Sequence, residues 1–211
     1  MKKLFTFLLV AICLVLMGNT ADAQTTVFTD DFSTNTSATY VTSGVMNTSA
    51  WTINRSGADF GGRRNTSPAQ LELTNDASAT AQANGWVFAN VSTSAFSSPY
   101  NTTLSSNSGL VTWTFNMRQI RSDPSGFTTT SYGVAFVLAG SSATAGTAGN
   151  GYAVVLGQSG ATDPVRLSRY TTGLQGTITD LITSNTSGLT DFGTEYLSVK
   201  GYIGKPSIFK K

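Results

Sequence analysis

Between residues 110 and 118 the chain reads LVTWTFNMR: apolar Val111, Trp113, Phe115 and Met117 alternate with polar Thr112, Thr114, Asn116 and Arg118. A repeat of two is that of a β-strand with one face for a core and the other for water. Two further runs, 132–139 (YGVAFVLA) and 152–156 (YAVVL), are almost continuously apolar, as strands buried on both faces should be. Weaker strand patterns fall at 27–32, 50–54, 70–74, 85–91, 165–170, 176–183 and 196–200, and Asp123-Pro124-Ser125-Gly126 reads as a tight turn. No amphipathic helix separates them, which excludes a parallel α/β design. The pattern predicts an all-β, two-sheet antiparallel sandwich.

The chain opens with Lys2 and Lys3, an apolar run over 4–17 and the triplet Ala21-Asp22-Ala23. These are the three regions of a secretory signal peptide, expected over 1–23 with the mature chain starting at Gln24. The apolar run is shorter than the roughly 20 residues that span a bilayer. Cys13 is the only cysteine; it lies inside that run after Ile12, which is not a lipid-attachment pattern, so the exported chain has no disulfide and no thiol chemistry. Lys2, Lys3 and Asp22 leave with the leader, taking the formal charge from +2 to +1. Such a balance carries no electrostatic footprint for nucleic acid or an anionic membrane, and neither is expected as a partner.

Residues 24–200 are expected to form one domain. The segment 140–150 (GSSATAGTAGN) reads as a loop whose small residues bury too little area to fix one conformation, and 92–108 reads similarly, with Phe96, Pro99 and Tyr100 to pin it. No lysine occurs between Lys3 and Lys200, yet Lys200, Lys205, Lys210 and Lys211 crowd the end. Residues 201–211 are therefore expected to be a basic tail, read either as a solvated end or as an out-of-frame extension after an unfinished strand.

FTDDFS (28–33), AWTINRSG (50–57), LELTNDAS (71–78), GWVFANV (85–91), YGVAFVLAG (132–140) and GYAVVLGQSGATDPVRLSRY (151–170) together carry a resemblance. The chain resembles the concanavalin A-like lectin/glucanase domains of large secreted Bacteroidetes-type proteins, many of which carry a sorting domain for type IX secretion. The resemblance implies a jelly roll serving as a carbohydrate-binding or adhesive module at the cell surface. It also implies further strands after 200, so this copy reads as truncated, with Phe32 and Trp51 losing cover.

The chain contains no histidine, which removes Ser-His-Asp catalysis and the usual neutral-pH base. Glycoside hydrolysis needs two facing carboxylates. The exported chain has only Glu72 and Glu195 as glutamates, and the Glu-x-Asp-x-x-Glu strand of the jelly-roll glucanases is missing. A non-catalytic module is expected, with polysaccharide or a cell-surface glycan as partner. A structural surface domain and a non-functional fragment are the alternatives. Sugars are held by aromatic faces and by amide and guanidinium groups. The candidates are Asn116 and Arg118 on the polar face of 110–118, and Arg166 and Tyr170 on one face of 165–170. No cofactor is required; calcium, if bound, would use loop oxygens such as those of Asp76 and Asp163.

Overall fold

The computed structural model describes residues 25–78, 84–102, 109–120, 125–127, 133–160, 162–185 and 196–203. The leader, Asp123, Pro124, Glu195 and the chain beyond Ile203 lie outside these. The described chain is all-β, with every strand pair antiparallel and a single 3₁₀ turn at Thr93–Ala95. The strands are β1 (Gly44–Val45), β2 (Trp51–Ser56), β3 (Gly61–Thr66), β4 (Ala69–Thr74), β5 (Trp86–Val91) and β6 (Val111–Met117). They continue with β7 (Val134–Gly140), β8 (Gly151–Leu156), β9 (Val165–Thr171), β10 (Thr177–Thr183) and β11 (Leu197–Ile203). Their pairings give the orders β1-β2-β5, β10-β9-β8-β7, β11-β6 and β3-β4.

The four-stranded sheet is apolar on both sides, as the continuous runs require, and Ala153 to Leu156 are all buried. On one side Ala153, Val155 and Tyr170 pack with Ala145, Leu174, Phe88 of β5 and Phe127. On the other, Phe136 of β7 stacks face to face on Phe115 of β6, with centroids 3.7 Å apart and planes 11° apart. β6 therefore turns its apolar side inward. Its alternation then sends Thr114 and Asn116 to solvent. β11 pairs with β6 from Leu197↔Met117 to Ile203↔Val111, so this strand runs three residues past Lys200 instead of stopping at Gly201.

Three expectations are corrected. Residues 27–32 do not form a strand. Asp30 accepts the Phe32 amide at 2.8 Å, an Asx-type turn, and Phe32 takes a left-handed backbone (φ 58°). This segment is a strap: Phe28 meets Trp51 edge-on at 6.3 Å, and Phe32 lies 5.7 Å from the same ring. Second, β3 was not expected from GGRRNT, because glycine and arginine carry no strand pattern; Gly62 is instead required there, since a Cβ would lie 2.8 Å from Ile53. Third, segment 140–150 is held in place. Ala145 is fully buried, and the amides of Gly173, Leu174 and Gln175 donate to the carbonyls of Gly149, Ala145 and Gly146 at 2.8–3.0 Å. Backbone hydrogen bonds fix what side-chain area could not.

The strap is anchored by charge. Arg64, 3% exposed, donates to both oxygens of Asp30 at 2.6 and 3.1 Å, and Trp51 Nε1 donates to Asp30 at 2.8 Å. Removing the carboxylate strands a buried guanidinium, which typically costs about 3–5 kcal/mol. Asp30→Ala should therefore lower unfolding free energy by about that amount in a urea titration, whereas Asp31→Ala, at an exposed carboxylate bonded only to Ser33, should shift it by less than about 1 kcal/mol.

Candidate binding face on strands β6 and β11

The sequence candidates separate into two environments. Asn116 and Arg118 lie on the outer face of β6. Arg166 and Tyr170 do share one face of β9, but it is the inner one: Arg166 is 3% exposed and Tyr170 is 0% exposed. Neither can touch a ligand. Arg166 is accommodated inside because Nη1 donates to both oxygens of Asp180 on β10, at 2.9 and 3.1 Å, and Nη2 donates to the Gly126 carbonyl at 2.9 Å. Ser168 donates to Asp180 at 2.7 Å in the same cluster. Tyr170 fits because its neighbours are glycines; a Cβ on Gly140 or Gly151 would lie 2.3 or 2.6 Å from its hydroxyl. The sequence showed the shared face but not its direction, because the Arg166 partners come from β10 and from the segment 125–127.

Asn116 and Arg118 stand in a set of rows fixed by the β6–β11 register. Thr114 pairs with Lys200 and Asn116 with Ser198. One step beyond Leu197↔Met117, Arg118 meets Tyr196. Asn116, Ser198, Lys200 and Tyr196 are exposed, and Arg118 is half-buried. Ser198 donates its hydroxyl to Asn116 Oδ1 at 2.8 Å, which fixes the amide and leaves its NH₂ donors outward. The Arg118 guanidinium lies 4.7 Å from the centroid of the Tyr196 ring. The Tyr196 hydroxyl donates at 2.6 Å to Gln70 of β4, so the face continues toward the β3–β4 hairpin.

On that hairpin Glu72 is fully engaged. Its oxygens accept from the Tyr40 hydroxyl at 2.5 Å, from Arg63 Nε at 3.0 Å and from Asn65 at 3.3 Å. Arg63 also covers the Tyr40 ring at 4.4 Å. Burial, helped by the hydrogen bond to Glu72 and its negative charge, pushes the Tyr40 phenol up to about 12. Burial alone raises that of Tyr170. A carboxylate held by three donors is a structural anion rather than a proton donor.

Tyr196, Ser198, Lys200, Gln70 and the Tyr40–Arg63–Glu72 group were not singled out from sequence. The alternation of Ser198 and Lys200 with Leu197 and Val199 was the available signal for two of them. The calcium candidates find no such support. Asp76 is an exposed turn residue whose amide donates to Thr74 at 3.0 Å, while Asp163 is completely buried ahead of β9. Among the described residues no three Asp, Glu, His or Cys side chains gather as metal ligands.

Two measurements test this description. The neutral Tyr40 phenol is favoured by the fold, so its stabilisation is complete below pH 10 and is lost as pH rises toward about 12. Tyrosinate absorbance should show late ionisation of Tyr40, and Tyr40→Phe should flatten the loss of stability between those pH values. The Tyr170 hydroxyl has no hydrogen-bond partner among the described residues, so Tyr170→Phe should leave stability unchanged or raise it by about 1 kcal/mol in a thermal melt.

No protein-family model, curated protein or solved structure matches this chain.

Proposed function

We propose that the chain is a secreted, non-catalytic binding module whose outer β6–β11 face takes carbohydrate. The observation that carries this reading is the ordered row of Arg118–Tyr196 and Asn116–Ser198. It combines an aromatic ring, an oriented amide and a hydroxyl on a rigid antiparallel pair. Amide and hydroxyl groups match the hydroxyls of a sugar, and a site held on strands is better preorganised than one on loops. An open sheet surface suits a chain-like ligand lying across it better than a small molecule needing enclosure. Export follows from the leader pattern over residues 1–23, and a lectin-like jelly roll is the family-level form of the same proposal. Non-catalytic action is supported by the lack of histidine and by the three donors that hold Glu72.

A structural or adhesive surface domain without a small ligand is the second reading. It is favoured by the way Ser198 and Asn116, and Tyr196 and Gln70, satisfy one another, as neighbours do on any solvated sheet.

A glycan array distinguishes the two. Carbohydrate binding predicts retention on at least one glycan class, with roughly tenfold weaker binding for Asn116→Ala and for Tyr196→Ala and unchanged melting of both variants. A folded chain retained by no glycan would leave the structural reading.

A further inference from the structure

The charges on the β6–β11 face select among glycans. We infer that the ligand of this face is an acidic polysaccharide bearing uronic-acid carboxylates, a conclusion that rests on the binding reading and goes beyond it.

Carboxylates elsewhere in the described chain neutralise their arginines locally. Arg63 pairs with Glu72, Arg64 with Asp30 and Arg166 with Asp180, at 3.0, 2.6 and 2.9 Å. Arg118 is held differently. Its partner is the Tyr196 ring, and among the described residues no carboxylate forms a salt bridge with it. Stacking occupies the flat face of a guanidinium and leaves its in-plane N–H groups to form a fork. That fork matches the two oxygens of a carboxylate. The stack also fixes the plane of the fork before ligand arrives, which reduces the ordering cost of binding.

Lys200 adds a second cation on the same face, opposite Thr114. The Arg118 row and the Lys200 row are four residues apart along the strands, about 13 Å at the rise of an antiparallel strand. Between them lies the neutral Asn116–Ser198 pair. The order along the face is therefore cation, amide and hydroxyl, cation. An acidic polysaccharide presents the complementary order of carboxylate, hydroxyls and carboxylate. A neutral glucan would leave the Arg118 fork without an anion. A sulfated chain would meet the charge, but a tetrahedral sulfate group fits the planar fork less well.

The test is affinity electrophoresis and calorimetry of the full chain with polygalacturonate, alginate, a neutral β-glucan, dextran sulfate and duplex DNA at two salt concentrations. Polygalacturonate or alginate should bind about tenfold or more tighter than the neutral glucan. That preference should weaken with salt and fall about tenfold in Arg118→Gln, with a smaller loss in Lys200→Gln. Both sites are at the surface, and coincident melts will show that the variants fold. Asn116→Ala should weaken acidic and neutral glycans alike and leave their ratio unchanged. Equal binding of neutral and acidic glycans, indifferent to Arg118→Gln, would overturn the acidic selectivity and leave the binding reading standing. Dextran sulfate or DNA bound as tightly as the uronates would overturn it in favour of non-specific polyanion attraction. Binding of no glycan at all would overturn the underlying reading itself.

Discussion

The sheet β7–β8–β9 is apolar on both faces, and a sheet of that kind cannot exist with one face in water. It needs two covers. The Phe88 side of β5, the segment around Ala145 and Leu174 supply one. β6 supplies part of the other through the Phe115–Phe136 stack. Once Phe115 is committed inward, the two-residue repeat leaves no freedom for its neighbours: Thr114 and Asn116 must face solvent. The register with β11 then sets Lys200 and Ser198 beside them. The candidate face is thus a consequence of the core packing on its reverse.

Charge is used sparingly, and its placement divides the molecule. Charged residues are 11% of the chain, and the described salt bridges each involve an arginine. The pairs on Arg64 and Arg166 are almost fully enclosed on the arginine side. Such pairs rarely add net stability over an apolar replacement, but breaking one leaves an uncompensated charge. Their effect is to define which segments belong together: Asp30 brings the strap to β3, and Gly126 brings its segment to Arg166 on β9. Gly126 is required at that contact, with φ at 62° and space so tight that a Cβ would lie 2.1 Å from the Arg166 guanidinium.

The strands that positioned the binding face were legible in sequence because hydrophobic alternation is a local property. The pattern in 110–118 identified β6 to within a residue, and the continuous runs correctly marked β7 and β8 as covered on both sides. What could not be read depended on partners distant along the chain. β3 is held by pairing with β4 and by the Asp30–Arg64 contact, neither of which its own GGRRNT pattern reveals. Arg166 looked like a surface cation until β10 brought Asp180 to it. Segment 140–150 looked loose by composition, yet the backbone of 173–175 holds it. The candidate site divides in the same way: Asn116 and Arg118 followed from alternation, while Tyr196 and Gln70 needed the register and the side-chain hydrogen bond that joins them.

Arg118 and Tyr196 show why position on the sheet matters more than residue type. Tyr170 and Tyr196 are both strand-associated tyrosines with a polar tip. Tyr170 is enclosed where two glycines make room, and its hydroxyl faces no partner. Tyr196 keeps an exposed ring, 48% accessible, and directs its hydroxyl to Gln70. The arginines diverge similarly. Arg166 spends its donors on Asp180 and Gly126, whereas Arg118 is oriented by a ring that accepts none of its in-plane hydrogen bonds. An oriented cation with its donors uncommitted to a carboxylate is suited to recognising an anion, and an enclosed one to holding the fold. The same two residue types therefore serve opposite ends, and the direction of the strand face decides which.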